Sequence, residues 1–269
     1  RDLVRSRGLG DVYKRQAMAS GIAKNGGKPV FATHSSFMQR TYDQLSQDLC
    51  VNNNPATILV NTASVYGMND VTHLGLYDIA MMSNIPNLVY LAPTSKEEYF
   101  AMLDWSIEQD KYPVAIRIPC NGVISDNREV QKDYSNLNKY KIERQGNKVA
   151  VIALGDFYQL GEQITNKIKE KLKFEPTLIN PRYITGLDNK LLEELKKEHE
   201  LVITLEDGIL EGGFGEKIAS FYGTTNMKVK NYGIRKSFPD RYIVDELLKE
   251  NGITVEQIIA DIKEIIDIK

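Results

Sequence analysis

The sequence has few of the features that mark secreted, membrane-spanning or nucleic-acid-binding proteins. Its 269 residues include only two cysteines, Cys50 and Cys120, far apart in the chain, which excludes a disulfide framework and makes a reducing cytoplasm the expected compartment. No apolar run approaches the roughly 20 residues that a membrane-spanning helix needs. The formal net charge of -2 provides no strong attraction to nucleic acid or to an anionic membrane, so neither is an expected partner.

The first sixteen residues, RDLVRSRGLGDVYKRQ, differ in character from everything after them. They are basic, lack helical or strand periodicity, and end where regular patterning begins. We interpret residues 1–16 as a non-native leader, because DVYKRQ is what a transposon end used in sequencing-library preparation encodes. A basic targeting peptide is the alternative interpretation. We expect natural sequence from Ala17 onward.

After Ala17, short continuous apolar runs alternate with amphipathic stretches. Continuous apolar runs are typical of strands that helices cover on both faces of a parallel sheet. Ser95 is the expected N-cap of one helix, with Glu98 completing a capping box. In the first half the predicted strands are 29–33, 56–61, 87–92 and 113–118, and the predicted helices are 36–52 and 96–109.

The stretch 126–147 is polar and has little periodicity, so we predict a linker with some extended structure. A second strand–helix series follows it, with Asp188 as an expected helix N-cap. The predicted fold class is therefore α/β, with two domains at 17–125 and 148–269, each a mostly parallel sheet flanked by helices. The predicted strands of the second domain are 148–154, 176–179, 201–205 and 227–232, and its predicted helices are 159–172, 189–197, 215–222, 242–249 and 255–266.

Several motifs occur in a specific order and spacing. Residues 31–48 read FATHSSFMQRTYDQLSQD, residues 72–75 read THLG, and residues 115–119 read AIRIP. In the second half, Glu206-Asp207 is followed by a turn containing Gly212, Gly213 and Gly215, which we interpret as a tight turn onto a helix. Together these motifs resemble the pyrimidine-binding and carboxy-terminal domains of the 1-deoxy-D-xylulose-5-phosphate synthase branch of the transketolase family.

The resemblance implies a transferase that depends on thiamine diphosphate and joins a unit from pyruvate to glyceraldehyde 3-phosphate, in the synthesis of isoprenoid precursors. It implies a homodimer, or assembly with a separate amino-terminal transketolase subunit. The diphosphate and its magnesium would bind on that amino-terminal domain, so this chain alone is expected to be inactive. Two alternatives stay open: a transketolase or split-transketolase subunit acting on sugar phosphates, and a non-catalytic binding subunit of a two-chain enzyme.

The resemblance also assigns roles to particular residues. Phe37 would stack on the pyrimidine of the cofactor, although an aromatic residue after a strand is ordinarily a packing residue. Ser35 would contact the cofactor or simply cap the following helix. His73 and His34 would act at the reacting centre, where a neutral imidazole can move protons near pH 7. No metal ligand is expected on this chain.

Two arginines complete the predicted site, and at three positions the sequence departs from the pattern of the synthase. Arg40 and Arg117 would together bind the phosphate of the acceptor, since planar guanidinium groups suit phosphate oxygens. Thr62 and Asn69 stand where the synthase usually carries Arg and Asp, which leaves the donor and acceptor open. The glutamate that activates the cofactor would fall at Val12, so it is not supplied by this sequence.

Overall fold

The computed structural model describes residues 10–67 and 70–267 of the chain. Asn69 and residues 1–9 of the predicted leader therefore lie outside the described residues. In the first domain, strands β1 (Val30–His34), β2 (Thr57–Ala63), β3 (Val89–Leu91) and β4 (Val114–Pro119) form one sheet. All of these strands pair in parallel, in the order β1-β2-β4-β3.

The second domain contains a second, mostly parallel sheet. Its strands pair in the order β5-β7-β6-β8-β9, and only the β5–β7 pair is antiparallel. The two α/β domains that the apolar runs predict are thus confirmed. The strands are β5 (Lys141–Arg144), β6 (Lys148–Ala153), β7 (Thr177–Asn180), β8 (His199–Ile209) and β9 (Lys228–Ile234).

Helices cover both sheets, and two predicted N-caps are confirmed. Ser95 Oγ accepts the Glu98 N–H at 3.2 Å, and Asp188 Oδ1 accepts the Leu191 N–H at 3.1 Å. The capping box is not closed as predicted, because the Glu98 carboxylate accepts instead from Thr94 N–H at 2.8 Å. The α-helices are α1 (Gly10–Lys24), α2 (Asp78–Met82), α3 (Lys96–Glu108), α4 (Tyr158–Leu172), α5 (Asn189–Leu195), α6 (Phe214–Tyr222), α7 (Val244–Glu250) and α8 (Val255–Ile265).

The segment predicted as one helix at 36–52 has a different local geometry. It forms a 3-10 helix over Ser35–Thr41 and a π-helix over Gln44–Cys50. This path buries Met38, Leu45 and Leu49 completely, so the apolar periodicity is real although the hydrogen-bonding pattern is not that of an α-helix.

The predicted linker is more ordered than its composition suggests. Its Tyr134 and Tyr140 are buried, and it contributes the antiparallel edge strand β5 to the second sheet. At the other end of the chain, α1 begins inside the predicted leader and continues past Ala17, with Val12 only 8% exposed. The leader interpretation itself stays a prediction.

The two domains share a continuous interior. Backbone hydrogen bonds join them, from Ala92 N–H to the carbonyl of Arg182 and from Ile184 N–H to the carbonyl of Tyr90, both at 2.8 Å. Tyr90 of the first domain and Phe214 of the second belong to the same buried apolar cluster. The carboxyl end of β3 consequently lies against the second domain.

The glycine turn before α6 is structural, as predicted. The Glu206 carboxylate accepts the N–H groups of Phe214 and Gly215 at 2.7 and 2.8 Å. A Cβ on Gly213 would lie 2.4 Å from Glu206 Oε2, so the close approach requires glycine there. Burial raises the pKa of the Glu206 carboxyl to about 7, and the two N–H donors oppose that shift.

Candidate active site

The carboxyl ends of β1 and β2 bring the first candidate residues together. His34 is the last residue of β1, and its Nδ1 lies 2.5 Å from Thr62 Oγ1. Ser35, which is 3% exposed, donates its hydroxyl hydrogen to the Thr62 carbonyl at 3.0 Å. Ligands in parallel α/β sheets gather at this edge, so the position suits a binding site.

Phe37 lies between the two candidate histidines. Its ring centroid is 5.3 Å from that of His34 and 5.4 Å from that of His73, at interplanar angles of 80° and 63°. Both histidines therefore meet Phe37 at a steep angle, and neither is stacked parallel to it. The structure thus brings His34, Phe37 and His73 into one cluster, although His73 comes from a separate segment of the chain.

A hydrogen-bonded turn holds His73. The Asp70 carboxylate accepts the N–H and the hydroxyl hydrogen of Thr72 at 2.9 and 2.8 Å, and Thr72 Oγ1 lies 2.8 Å from His73 Nδ1. The Tyr66 hydroxyl donates to the His73 carbonyl. Sequence reasoning missed Asp70 and Thr72, although an Asp two residues before a Thr is a recognisable Asx-turn signal.

The backbone at the end of β2 is unusual. Thr62 and Ser64 both have positive φ, 57° and 78°, which is uncommon for residues other than glycine. Gly75 packs against this bend: its carbonyl accepts the Ser64 N–H at 3.0 Å, and a Cβ on it would lie 2.4 Å from the Thr62 carbonyl oxygen. The close approach places the His73 turn against the end of β2.

The two candidate arginines occupy different environments. Arg40 is exposed at the end of the 3-10 helix. Arg117 is 2% exposed, and its guanidinium donates to Asp78 at 2.7 Å, to Asp207 at 2.5 Å and to the carbonyl of Gly75 at 3.1 Å. The structure does not bring the two guanidinium groups to one exposed anion site. The phosphate role of Arg117 stays a prediction, and it is one that the burial of the guanidinium between two carboxylates does not favour.

The second domain reaches the candidate site through a loop after β9. Phe238 is 75% exposed, and its ring centroid lies 5.6 Å from that of Tyr77. The Tyr77 hydroxyl donates to the carbonyl of Ser237. Tyr77 and Phe238 also line a cavity of about 370 Å³, together with Ser35 and Thr72 among others. Sequence reasoning missed this loop because nothing local indicates what it packs against.

Two family models match the chain in succession. The transketolase pyrimidine binding domain matches residues 14–122, and the transketolase C-terminal domain matches residues 138–258. The chain belongs to the transketolase family. It carries the pyrimidine-binding domain followed by the carboxy-terminal domain, in the order that the motifs indicate.

Curated relatives of this transketolase-family chain are named 1-deoxy-D-xylulose-5-phosphate synthase. The protein of Clostridium tetani is 32% identical over 250 residues, which cover 92% of this chain and 40% of the relative. The protein of Alkaliphilus oremlandii is 36% identical over 253 residues, which cover 91% of this chain and 39% of the relative. The transketolase-family chain thus spans about 40% of the length of the relatives it matches.

A solved structure shows the same fold. A split gene transketolase, described as an inactive beta4 tetramer, superposes with a TM-score of 0.80. The match covers 96% of this chain and 82% of that chain at 20% sequence identity. Since the identity is low, the likeness establishes the transketolase fold of both domains rather than an activity.

Thiamine diphosphate is the cofactor that a transketolase pyrimidine-binding domain implies. The Phe37 ring fits this group, because it is half-buried and its neighbouring histidines leave it without a parallel stacking partner. The acid that would activate the pyrimidine is not supplied at Val12, whose side chain is apolar and buried in the core.

Among residues 10–67 and 70–267, no cluster of three or more His, Cys, Asp or Glu side chains could hold a metal ion. In the same part of the chain no helix has the length and apolar character required to span a membrane.

Proposed function

We propose that this chain is the pyrimidine-side portion of a thiamine-diphosphate-dependent transferase of the 1-deoxy-D-xylulose-5-phosphate synthase type. The observation that supports the proposal most directly is the cluster of His34, Phe37 and His73 at the carboxyl ends of β1 and β2. The substrates we propose are pyruvate and glyceraldehyde 3-phosphate. The names of the curated relatives support this choice.

Phe37 would provide the aromatic face on which the aminopyrimidine stacks, a contact worth about 0.5–1.5 kcal/mol beyond burial. Ser35 donates a hydrogen bond to the Thr62 carbonyl, which fixes the start of the turn that carries Phe37. When bound, the cofactor supplies a nucleophilic carbon that activates the donor, while the protein binds and orients the reactants.

His73 and His34 would bind the reacting groups and move protons between them. Their rings come from two different segments and contact the Phe37 ring at steep angles, so both would lie beside a heterocycle stacked on Phe37. The proximity of Thr62 Oγ1 restrains the His34 ring, which lets His34 serve as a positioned hydrogen-bonding group. Arg40, exposed one turn after Phe37, is the guanidinium available for the phosphate of the acceptor.

The amino-terminal domain that binds the diphosphate and magnesium would come from another part of the same protein or from a separate chain. The split gene transketolase with the same fold supports the second arrangement as a workable one. The assembled enzyme would be a homodimer in the first arrangement and a complex of two kinds of chain in the second. The free thiols of Cys50 and Cys120 are consistent with a reducing cytoplasm.

The test is to assemble the chain with its amino-terminal domain and to supply thiamine diphosphate, magnesium, pyruvate and glyceraldehyde 3-phosphate. We expect carbon dioxide release and formation of the phosphorylated product, both abolished in His73→Ala. Full assembly and cofactor binding without carbon dioxide release would overturn the synthase proposal.

A transketolase acting between two sugar phosphates is the second candidate. It is favoured by Thr62, since a threonine hydroxyl at the end of β2 replaces the guanidinium that the synthase resemblance leads one to expect. Ketol transfer from a ketose phosphate, with no carbon dioxide released from pyruvate, would identify this activity. A non-catalytic binding subunit would show neither reaction and yet bind the amino-terminal chain.

A further inference from the structure

The hydrogen bonds around His73 have a direction that follows from the chemistry of a hydroxyl group. Thr72 has a single hydroxyl hydrogen, and the Asp70 carboxylate, which only accepts, takes it at 2.8 Å. The same Thr72 oxygen lies 2.8 Å from His73 Nδ1. Since the hydrogen of Thr72 is already donated, the remaining contact requires Nδ1–H of His73 to be the donor.

We propose that Asp70 is a positioning residue for His73. Acting through the Thr72 hydroxyl, it holds the neutral imidazole in its Nδ1–H tautomer and leaves Nε2 with a free lone pair as the proton acceptor. This inference rests on the proposed function only for the use to which Nε2 is put, because the tautomer is a property of this chain by itself.

The surroundings of the turn keep Asp70 in its accepting form. Hydrogen bonds from the backbone and side chain of Thr72, followed by the nearby charges of His73 and Arg241, hold the pKa of the Asp70 carboxyl below its ordinary value. Direct ion pairing with His73 is secondary, since Asp70 Oδ2 lies 3.8 Å from Nδ1 and both side chains are partly exposed. The threonine hydroxyl is therefore the main connection between them.

His199 provides a reference for the same tautomer in the same molecule. Its Nδ1 lies 3.0 Å from the Leu195 carbonyl, which can only accept, so Nδ1 carries the hydrogen there as well. Its Nε2 lies 2.7 Å from Thr177 Oγ1. The chain has three histidines, so His34→Gln and His199→Gln variants suffice to assign every imidazole signal.

The experiment is long-range nitrogen–proton correlation NMR on this chain with labelled histidines, about two pH units above the ordinary histidine pKa of about 6.5 so that the rings are neutral. We expect His73 to show the Nδ1–H pattern of His199. Thr72→Val and Asp70→Ala should shift His73 toward the Nε2–H pattern. Thr72→Ser keeps the hydroxyl group and should therefore retain the Nδ1–H pattern. The His199 signals should stay unchanged in all variants, which reports that the fold is intact.

An Nε2–H pattern for His73 in the unmodified chain, or a pattern that Thr72→Val and Asp70→Ala leave unchanged, would overturn the proposal. In the assembled enzyme, Thr72→Val should lower kcat by about 10- to 100-fold and leave KM within about twofold of its original value. General acid–base catalysis accelerates a reaction by about 10²- to 10⁴-fold, and the loss is smaller than this because a fraction of the His73 rings keeps the productive tautomer. Absence of all activity in the unmodified assembly would instead contradict the proposed function and leave the tautomer result standing.

Discussion

The guanidinium of Arg117 and the carboxylate of Asp207 form an ion pair across the two domains, with Nη1 and Oδ2 2.5 Å apart. Both groups are buried, and Arg117 bonds in addition to Asp78 and to the carbonyl of Gly75. The carboxy-terminal domain is thereby connected, through one side chain, to the turn that carries His73. This connection gives the second domain a part in shaping a site whose sequence-predicted residues all belong to the first.

Removal of the Arg117 side chain should strongly destabilise the fold. Arg117→Ala leaves Asp78 and Asp207 buried without their partner, and breaking a buried ion pair from one side costs about 3–5 kcal/mol. Urea unfolding measures this loss of free energy. Arg40→Ala is the matched control and should change the free energy of unfolding by no more than about 0.5 kcal/mol, because Arg40 is exposed. Equal, small effects in both variants would show that Arg117 is not a structural partner of these acids.

Asp156 should make the stability depend on pH. Its Oδ2 accepts from Ser64 Oγ at 2.6 Å, and burial, followed by the charge of Asp207, raises the pKa of its carboxyl to about 6. Because the folded state holds this proton more tightly than the unfolded chain does, ionisation between about pH 4 and 6 lowers the free energy of unfolding. Asp156→Asn should therefore match the unmodified chain at low pH and exceed it by roughly 2–3 kcal/mol at pH 8.

Asp133→Asn is the control for this pH effect. The pH dependence of stability that Asp133 contributes has the opposite sign to that of Asp156. Hydrogen bonds from the backbone and hydroxyl of Ser135 lower the pKa of the exposed Asp133 carboxyl. The stability it contributes is present at neutral pH and is lost as the pH falls. Thermal unfolding at several pH values distinguishes the two, and a difference for Asp156→Asn that does not change with pH would contradict the burial argument.

Phe37→Ala should weaken cofactor binding in the assembled enzyme. Loss of a stacking contact of about 0.5–1.5 kcal/mol raises the Kd for thiamine diphosphate by about 2- to 13-fold. Calorimetric titration gives the value directly. Phe100→Ala on α3 removes an aromatic ring that is 48% exposed and lies outside the cluster, so it should leave Kd unchanged. Similar losses in both variants would argue against a stacking role.

Gly75→Ala should displace the His73 turn. The added methyl group would lie 2.4 Å from the Thr62 carbonyl and 2.8 Å from Ala63 Cα, so the backbone must move, at a cost of about 1–3 kcal/mol. Gly21→Ala in α1 meets nothing within 4 Å and should stabilise the helix by roughly 0.5–1 kcal/mol. Urea unfolding measures both, together with the His73 imidazole signals. Unchanged stability and signals in Gly75→Ala would contradict the close packing.

Much of the candidate site could be predicted from the order of strands and turns. His34 ends β1 and Phe37 follows it, so both had to lie at the carboxyl edge of the first sheet. The helix caps at Ser95 and Asp188 were also predictable, because capping depends on residues within one turn. The mixed 3-10 and π geometry of 35–50 was not, since apolar periodicity does not distinguish these hydrogen-bonding patterns.

The roles of Arg117 and Asp70 could not be predicted in the same way. A strand-end arginine next to a predicted ligand site suggests a ligand contact, yet its partners are 39 and 90 residues away in the chain. The Asx turn of Asp70 and Thr72 is visible in the sequence, but the placement of the His73 ring beside Phe37, which gives this turn its proposed role, is a tertiary relationship. Local sequence carries no information about contacts between residues that lie so far apart in the chain.

The alternation of continuous apolar runs with amphipathic stretches was enough to determine two α/β domains, because buried parallel strands and covering helices each have a period that is visible in the residues themselves. The family motifs added the cofactor class. Only the tertiary structure decided which charged groups face each other, since the choice between an exposed ligand and a buried ion pair depends on what the second domain places beside Arg117. For the same reason only the folded chain could place the ring of His73, which Asp70 holds through one hydroxyl group, beside Phe37.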